Sequence, residues 1–504
     1  MSHIEELTLN KFRVFENEFR LNLTPLTFLT GPNSSGKSSI FKSFLLLKSN
    51  HSSTLQVLDF TGDKHNLGTF DNTINKKKKK EDVITFGLTT TIKSDFPFSF
   101  YKEPVTTKRS VFYILKEEGS LDSAKISIEL DYKKNDRSGK LSKIEITQNL
   151  DEKPFLILKI AGNNQENHSL LFDYNLIIKN KVLRNHFVDH VVREKVKIPK
   201  IEKVKSYQVS SVFKIQDGGN EAFYDEPVLV FSKLFKLFLD DNLTMIQRKD
   251  LHPFMLKQPL KRILQDFSSI IENTEYIEAV RANTRRLYTN DSQGTGFNEL
   301  ILDYTSREID DLAIKFINKW LKAFEIADEI IFKNVEGVAT SIYLKSYLEE
   351  IALADLGYGI TQFLPILLKI ALEQPVVKKR NHGQIVKKLI LLEEPETNLH
   401  PKLQSLLADF LVDALITFEI RLIIETHSEY IIRRMQVMTA EKIVNSEETS
   451  IYYFNSPSQT KEGLDQIIEI KILENGSLSK DFGEGFFDEA TRMKFELLRI
   501  KSKQ

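Results

Sequence analysis

A run of glycine, serine and lysine between Leu29 and Ser39 constrains the fold of this chain more than any other segment. It fits the pattern G-x-x-x-x-G-K-[ST], in which glycines let the backbone curl so that successive N–H groups point at phosphate oxygens. The apolar residues 26–29 before it are typical of a buried strand, and residues 39–46 after it have the spacing of an amphipathic helix. This order predicts an α/β sheet that binds a nucleotide at its edge.

The same loop predicts how ATP and Mg²⁺ are held. Lys37 is expected to neutralise the β- and γ-phosphates, and the Ser38 hydroxyl to ligate Mg²⁺. The N-terminus of the following helix adds its dipole to the phosphate site. The predicted ATP contacts from the loop are Asn33, Ser34, Ser35, Gly36, Lys37, Ser38 and Ser39.

A second segment, residues 388–396, is a short apolar run that ends in carboxylates. A parallel strand buried on both faces has this composition, and its carboxyl end is where α/β sheets place ligands. We therefore predict that Glu393 holds Mg²⁺ and that Glu394 polarises the attacking water. A strand that runs into an acidic surface turn is the alternative, and the phosphate-binding loop argues against it.

Another apolar strand, residues 419–426, follows after a helical pattern at 402–412. Strand, helix and strand over so short a stretch form a parallel crossover. The crossover places His427 beside Glu394 on the same sheet edge, so we predict that His427 contacts the γ-phosphate. A solvated turn residue is the alternative interpretation of this histidine.

A glycine-rich segment opens the apolar helix at 363–370. A helix that begins in this way offers a second anion-binding terminus, although an ordinary start of a helix is the better interpretation of the segment taken alone. Its candidate residues are Gly357, Gly359, Thr361 and Gln362.

The order of these motifs resembles that of the ABC-type ATPases, in the branch of the OLD-family, SMC-like and RecF proteins. Residues 392–401 are similar to the acidic motif of OLD-like ATPases from bacterial defence systems, and residues 426–428 to their His switch. Residues 10–15 are similar to an N-terminal strand motif in which Arg13 would lie near the nucleotide. The glycine-rich segment at 357–362 is similar to a degenerate signature of this family.

The resemblance, which covers roughly residues 1–95 and 270–504, implies an α/β fold: an ABC-type ATPase head with a mixed sheet, flanking helices and a large β-plus-helical insertion. It implies ATP and Mg²⁺ as cofactors, hydrolysis to ADP and phosphate, and a homodimer or higher oligomer. Glu393 stands where transporter-type proteins carry Asp. No Gln-loop glutamine is visible at 66–70, so that contact stays open. The residues implied to act in trans on the other chain's nucleotide are Gly357, Gly359, Thr361 and Gln362.

Lys37 and Glu393 lie much farther apart in the sequence than one crossover needs, which predicts a large insertion. Residues 83–160 alternate like strands, and residues 228–325 have helical spacing without the sustained heptads of a long coiled coil. We expect three parts: 1–95 as the N-terminal lobe of the head, 96–330 as an insertion made of a β-arm and a helical lid, and 331–504 as the C-terminal lobe.

Composition bounds the class of protein. Lys plus Arg and Asp plus Glu both number 70, so no overall field draws the chain to nucleic acid. The lack of cysteine excludes thiolate zinc sites and cysteine catalysis, and it fits a reducing cytosol. The N-terminus has no signal-peptide pattern, and no apolar run approaches the ~18 residues of a membrane span. We expect a cytoplasmic protein with no membrane partner.

Three charged features stand outside these motifs. Five consecutive lysines at 76–80 favour a solvated turn. His186 and His190 have the spacing of a metal pair, but no acidic third ligand stands nearby in the zincin pattern. Between 179 and 205, nine basic residues outnumber three acidic ones, which suits a nucleic acid, an acidic protein partner or a plain exposed surface. The nine are Lys179, Lys181, Arg184, Arg193, Lys195, Lys197, Lys200, Lys203 and Lys205.

The residues after His427 contain no dense acidic cluster that could hold two metal ions, so we expect no nuclease in this chain. OLD-like ATPases without a nuclease resemble the ATPase subunits of antiphage systems such as Septu and PARIS. This implies a sensor or scaffold that controls a separate effector protein, a nuclease or a toxin, with a nucleic acid or a phage protein as the trigger. The alternative is a DNA repair or recombination ATPase of the SMC-like or RecF kind. The long insertion argues against a transporter subunit.

Overall fold

The computed structural model divides the chain into two compact units. The first unit contains Met1–Asn22, Lys42–Asn273 and Val377–Lys387, and the second contains Leu23–Phe41, Thr274–Val376 and Lys388–Gln504. The described residues are 3–51, 57–62, 64–93, 123–148, 156–159, 168–172, 205–209, 267–279, 285–289, 296–306, 309–336, 338–347, 349–373, 387–455, 465–483 and 489–501.

The described chain contains a long run of strands from β5 to β10, and strands mixed with helices before and after it. The strands are β1 Ile4–Asn10, β2 Phe19–Asn22, β3 Leu26–Thr30, β4 Val57–Leu58, β5 Val83–Lys93, β6 Ser123–Asn135, β7 Ser138–Gln148, β8 Leu156–Lys159, β9 His168–Phe172, β10 Lys205–Val209, β11 Thr274–Ile277, β12 Tyr288–Thr289, β13 Glu329–Val335, β14 Ala339–Ser346, β15 Glu349–Ala352, β16 Leu389–Glu393, β17 Arg421–Glu425, β18 Thr449–Phe454 and β19 Ile467–Lys471. The helices are α1 Lys37–Ser49, α2 Phe70–Thr73, α3 Gly296–Ser306, α4 Asp311–Ala323, α5 Tyr358–Leu372, α6 Pro401–Phe418, α7 Glu429–Ala440 and α8 Glu489–Lys501.

The first unit is built on an antiparallel sheet. Its described strands follow the order β10-β9-β8-β7-β6-β5-β1-β2, and β4 pairs with β7. In β5 the large apolar residues Ile84, Phe86 and Leu88 alternate with threonine and glycine, the period-2 pattern of a strand with one apolar face, and residues 84–91 are all buried. The strand character predicted for residues 83–93 and 123–148 is confirmed.

The second unit contains a six-stranded sheet of order β11-β16-β17-β3-β18-β19. Its first five strands run parallel, and β19 is antiparallel to β18. The apolar runs of β16 and β17 are buried, as expected for parallel strands covered on both faces. The helix α6 joins β16 to β17, so the predicted parallel crossover is present. The predicted α/β class is confirmed.

Helices pack beside this sheet through aromatic side chains. In α4, Phe316 meets Phe418 of α6 edge to face, with 4.8 Å between ring centroids. Phe324, just after α4, stacks on Phe363 of α5 at 4.0 Å. Asp310 caps α4 by accepting a hydrogen bond from the backbone N–H of Leu312 at 3.2 Å. A small sheet, in which β14 pairs with β12, β13 and β15, completes the described second unit.

The two units do not follow the boundaries expected at residues 95 and 330. The strands β6 and β7 extend the sheet that contains β1 and β5, so the β-arm continues the N-terminal lobe. The elements between 274 and 330 belong to the second unit, because β11 pairs with β16 and α4 packs on α5 and α6. These pairings join distant parts of the chain, which local sequence patterns do not report. The helical pattern at 228–239 lies outside the described residues.

Candidate functional site

Three parallel strands bring the predicted site residues to one sheet edge. In register, Glu393 at the end of β16 lies opposite Glu425 at the end of β17, and Glu425 lies opposite Leu29 of β3. The glycine-rich loop therefore begins at the same sheet edge as the glutamates that end the two neighbouring strands, β17 and β16. We call Lys37, Glu393, Glu394 and Glu425 the edge cluster.

The loop after β3 has the tight conformation that its glycines predict. Gly31 has a φ of 134°, and a Cβ there would lie 2.3 Å from the carbonyl oxygen of Phe454 in β18. Gly36 has a φ of 115°, and α1 begins at the next residue. Both values lie where glycine is favoured, so another residue at either position would distort the loop.

Lys37 is buried at the centre of the edge cluster, with 3% of its surface exposed. Its ammonium donates hydrogen bonds to the carbonyl oxygens of Gly31 at 2.9 Å and Pro32 at 3.0 Å. The Glu425 Oε1 atom lies 3.7 Å from the Lys37 Nζ. Burial lowers the pKa of Lys37, while the Glu425 and Glu394 carboxylates oppose the shift. A phosphate group at this position would supply further negative charge for the lysine.

Glu425 is a site residue to which the sequence patterns assigned no role. Its carboxylate accepts a hydrogen bond from the Ser38 hydroxyl, at 3.2 Å to Oε2. Burial raises the pKa of Glu425 to about 7, an effect that the Lys37 charge opposes and the Glu393 charge reinforces. The signal in the sequence is that the two apolar strands beside the loop both end in glutamate, at positions that become paired in register.

Glu393 has a partner from outside the predicted motifs. Its Oε2 atom accepts a hydrogen bond of 2.8 Å from the hydroxyl of Tyr276 in β11. Burial and the Glu393 charge raise the pKa of Tyr276 well above its usual range. Tyr276 follows no motif and lies on a four-residue strand, so local patterns could not identify it.

Glu394 occupies a strained backbone position directly after β16. Its φ is 37°, a left-handed conformation that costs a non-glycine residue about 1 kcal/mol or more. Its backbone N–H donates to the carbonyl oxygen of Glu425 at 2.8 Å, and its Oε2 atom accepts from the Thr397 hydroxyl at 3.2 Å. The neighbouring strand therefore holds the turn that carries this carboxylate.

His427 follows β17 at the same edge. Its backbone N–H donates to Oε1 of the buried Glu396 at 2.7 Å. Partial desolvation and then the Lys37 charge lower the pKa of His427, and the Glu394 charge opposes them. Burial raises the pKa of Glu396. The predicted neighbours His427 and Glu394 thus share one electrostatic environment with Lys37.

The glycine-rich segment forms the start of α5, with Gly357 in the N-cap position. Gly359 packs against the loop after β16, because a Cβ there would lie 2.7 Å from the carbonyl oxygen of Asn398. The side chains of Thr361 and Gln362 are buried. A role in trans stays a prediction for all four residues; Gly357 is exposed and Gly359 is half-buried. Pro365 lies inside the same helix.

The other predicted contacts are placed as follows. Asn33 and Ser34 are exposed at the tip of the loop, while Ser35 and Ser39 are buried. The Ser35 hydroxyl has no hydrogen-bond partner among the described residues. Arg13 belongs to the first unit, in a turn after β1 where its φ is 51° and its backbone N–H donates to the carbonyl oxygen of Thr73 at 2.7 Å. Its role at the nucleotide stays a prediction.

The edge cluster fits Mg²⁺ bound together with phosphate. Its carboxylate oxygens and the neighbouring Ser38 hydroxyl are oxygen ligands, the kind that Mg²⁺ prefers. Across the described part of the chain, no group of three or more His, Asp and Glu side chains is arranged to hold a metal alone. Mg²⁺ at this edge would therefore share its ligands between Ser38, Glu393 and the oxygens of a nucleotide.

The remaining charged features of the sequence lie in the lysine-rich turn of the first unit or outside the described residues. Lysines 76, 77, 79 and 80 are exposed, and Lys77 pairs with Glu16 at 2.6 Å, which agrees with a solvated turn. Apart from the backbone of Lys205 in β10, the basic stretch 179–205 lies outside the described residues, as do His186 and His190. Within the residues that the structure describes, no helix combines the length and apolar character needed to cross a membrane.

Solved structures similar to this chain include several SMC head domains. One is an Smc head bound to the C-winged helix domain of ScpA, with 10% identity, a TM-score of 0.37, and 93% of this chain and 98% of that one covered. Another is the Smc head with an extended coiled coil bound to the C-terminal domain of ScpA from Pyrococcus furiosus, with 10% identity, a TM-score of 0.36, and 99% and 100% covered. The SMC head domain from Thermotoga maritima gives 10% identity, a TM-score of 0.34, and 96% and 99% covered.

Comparison with protein families gives two matches. Residues 3–432 match a family described as an AAA ATPase domain. Residues 444–497 match a family described as a protein of unknown function. No curated protein matches the sequence. The first match contains the whole edge cluster and His427.

Proposed function

Because the chain belongs to the AAA ATPase domain family, we propose that it binds ATP with Mg²⁺ and hydrolyses it at the edge cluster. One observation carries this proposal: Lys37 and Ser38 both contact Glu425, at the sheet edge where β16 ends in Glu393 and Glu394 follows it. The side chains needed to hold a triphosphate and a divalent cation thus converge from three strands.

Each residue of the cluster has a chemical task in this proposal. Lys37 leaves the loop carbonyls and neutralises the β- and γ-phosphates. Ser38 and Glu393 hold Mg²⁺, which when bound offsets charge on the phosphate oxygens. Glu425 accepts a hydrogen bond from the Ser38 hydroxyl, which orients the hydroxyl so that its oxygen lone pairs can face the metal.

Glu394 and His427 complete the hydrolytic site. Glu394 orients the attacking water and accepts its proton, and the held turn after β16 keeps this carboxylate in one place. His427 contacts the γ-phosphate. Burial lowers the pKa of both Lys37 and His427; the Glu394 charge opposes this fall at Lys37, and the Lys37 charge adds to it at His427. The three groups are therefore close enough to act in one site.

Phosphate release by the purified full-length chain tests this function. We expect hydrolysis of ATP with Mg²⁺, none with EDTA, and direct binding of a non-hydrolysable ATP analogue. Absence of both analogue binding and hydrolysis in a folded preparation would refute the proposal. An exchange of Glu325 for Gln is the control, because this exposed carboxylate pairs with Lys402 and not with the cluster.

We further propose that ATP joins two copies of the chain, with Gly357 and Gly359 of one copy facing the phosphates held by the other. Two identical chains that complete each other's sites form a two-fold interface. Size determination with and without ATP tests this in a Glu394→Gln variant, which holds ATP without turning it over. A strict monomer under both conditions contradicts the proposed dimer.

For the cellular role we propose a cytoplasmic ATPase that controls a separate nuclease or toxin, with a nucleic acid or a phage protein as the trigger. The zero formal charge supports a protein partner over a DNA-tracking surface. The second candidate is a DNA repair ATPase of the SMC-like or RecF kind, supported by the basic stretch 179–205.

One experiment separates the two roles. For the first role, we expect an effector protein to copurify and double-stranded DNA to leave the ATPase rate unchanged. Changing Lys195, Lys197 and Lys200 to Glu should weaken partner binding and leave ATPase activity intact. Strong stimulation by DNA, lost in this triple variant, supports the repair role. Degradation of nucleic acid by the isolated chain would contradict both.

A further inference from the structure

Tyr276 contacts the edge cluster from a strand that no motif marks. The strand β11 is the outer neighbour of β16, and Tyr276 lies in register with Leu391. From there its side chain reaches forward to the end of β16, where its hydroxyl donates to Glu393 Oε2 at 2.8 Å. One of the two oxygens of the proposed metal ligand is therefore taken by a tyrosine.

The tyrosine ring is itself fixed. It meets the ring of Phe41 edge to face, with 6.1 Å between centroids and an angle of 75° between planes. Phe41 is fully buried in α1, the helix that begins at Lys37. Tyr276 thus contacts both the helix that leaves the phosphate-binding loop and the carboxylate across from it.

The strand that carries Tyr276, β11, is also held by ion pairs. Glu275, the preceding residue of β11, pairs with Lys369 of α5 at 3.4 Å and with Lys388 at 3.9 Å. Adjacent residues of a strand face opposite sides, so Glu275 is held on one face while Tyr276 acts on the other. A side chain supported by packing and by its own strand is suited to hold a ligand in one geometry.

We propose that Tyr276 is a positioning residue that fixes the Glu393 carboxylate for Mg²⁺, an inference that rests on the proposed function. Glutamate has one more rotatable bond than the aspartate of transporter-type proteins, so more conformational freedom must be removed to hold its carboxylate still. The hydroxyl of Tyr276 removes it by donating a hydrogen bond to Oε2. Groups that orient a metal ligand in this way change metal affinity by roughly 10- to 100-fold when removed.

The test is a Tyr276→Phe variant of the full-length chain, with a fluorescent non-hydrolysable ATP analogue as the probe. The Mg²⁺ concentration that gives half-maximal enhancement of analogue binding should rise by roughly tenfold. Analogue affinity in EDTA should stay within about twofold of wild type, because the hydroxyl contacts no loop residue that holds phosphate. A purely structural role would weaken binding with and without Mg²⁺ alike.

Tyr304→Phe is the matched control, since it removes the hydroxyl of a buried tyrosine that stacks on Phe332 in the same unit. It should leave the Mg²⁺ requirement unchanged. A Glu393→Gln variant should raise the Mg²⁺ requirement, and adding Tyr276→Phe to it should raise it no further.

The inference is overturned if Tyr276→Phe responds to Mg²⁺ like wild type, or if its effect persists undiminished in the Glu393→Gln background. Wild-type protein that binds the analogue without any response to Mg²⁺ would instead contradict the metal site of the proposed function. The two failures therefore have different readouts.

Discussion

Two clusters of wholly or partly buried charge in the described part of the second unit differ in their balance of positive and negative groups. In the edge cluster, three carboxylates share one ammonium group, that of Lys37. The other cluster, which we call the base cluster, joins two lysines to two glutamates. It consists of Glu275, Lys369, Glu373 and Lys388, with Lys388 directly before β16 and the other charges on β11 and α5.

The pKa shifts favour the charged form of Lys369 in the base cluster and the neutral form of Glu425 in the edge cluster. In the base cluster burial lowers the pKa of Lys369, yet the Glu275 and Glu373 charges raise it overall, so the paired charges support one another. In the edge cluster burial and neighbouring carboxylates raise the pKa of Glu425 to about 7. Balanced charges hold a fold together, whereas an excess of carboxylate at a sheet edge is suited to receive a cation.

Lys37→Ala should have the largest effect. Removal of the central ammonium leaves the phosphates without their main point charge, so ATP affinity should fall by at least about a hundredfold and hydrolysis should be lost. Calorimetric titration with ATP measures this. Lys369→Met from the base cluster is the control, and it should leave ATP affinity unchanged. Equal loss in both variants would show that the two clusters do not differ in function.

Glu394→Gln should separate binding from turnover. The amide keeps the shape of the side chain but cannot accept a proton from water, so hydrolysis should fall by roughly a hundredfold or more while ATP still binds. Phosphate release and analogue binding measure the two properties. If this variant hydrolyses ATP at the wild-type rate, the buried Glu396 becomes the candidate for the catalytic carboxylate.

Lys369→Met should reduce stability without touching the site. Loss of one partner leaves Glu275 and Glu373 with less compensation, so the free energy of unfolding should fall by about 2 kcal/mol. The raised pKa keeps Lys369 charged, so its contribution is complete below the ordinary lysine pKa and is lost only as the pH rises through the folded value. Urea unfolding between about pH 6 and pH 9 should give the same difference throughout. A difference that shrinks within this window would contradict the pairing.

The smallest effects are expected at the two glycines that open α5, the helix whose other end lies in the base cluster. Gly359→Ala places a Cβ 2.7 Å from a backbone oxygen of Asn398, so stability should fall by about 1 kcal/mol. Gly357→Ala meets nothing within 4 Å and should change stability by only a few tenths of a kcal/mol. Urea unfolding compares the two. A larger loss for Gly357→Ala would contradict the packing seen here.

Local patterns in the sequence predicted the parts of the site that follow one another along the chain. The loop after β3, the carboxylates after β16 and the crossover through α6 are each contiguous, so residue type and spacing were sufficient. The α/β fold class with an ABC-type ATPase head is confirmed by the family match and the parallel sheet. The roles of Glu393, Glu394 and His427 stay predictions.

The missed residues depend on pairing between distant strands. Glu425 lies beside Lys37 and Ser38 because β17 lies between β16 and β3, an order that the sequence does not state. Tyr276 contacts Glu393 because β11 pairs with β16 across a long stretch of chain. Pairing of the same kind places residues 274–330 in the second unit, whereas the sequence patterns assigned them to the insertion. Glu425 and Tyr276 lie at the site because of which strands pair and in what register. A single sequence does not show that pairing.

Pro365 interrupts the backbone hydrogen bonding within α5. Its ring nitrogen has no hydrogen to donate, so it makes no helical bond to the carbonyl of Thr361 one turn earlier, and its ring crowds that carbonyl. The last turn is tied down by Lys369 and Glu373. The backbone hydrogen bonding of α5 is therefore interrupted between its glycine-rich start and its anchored end. We expect a change in the direction of α5 on nucleotide binding to occur at this proline, which would shift the glycines and leave the last turn in place.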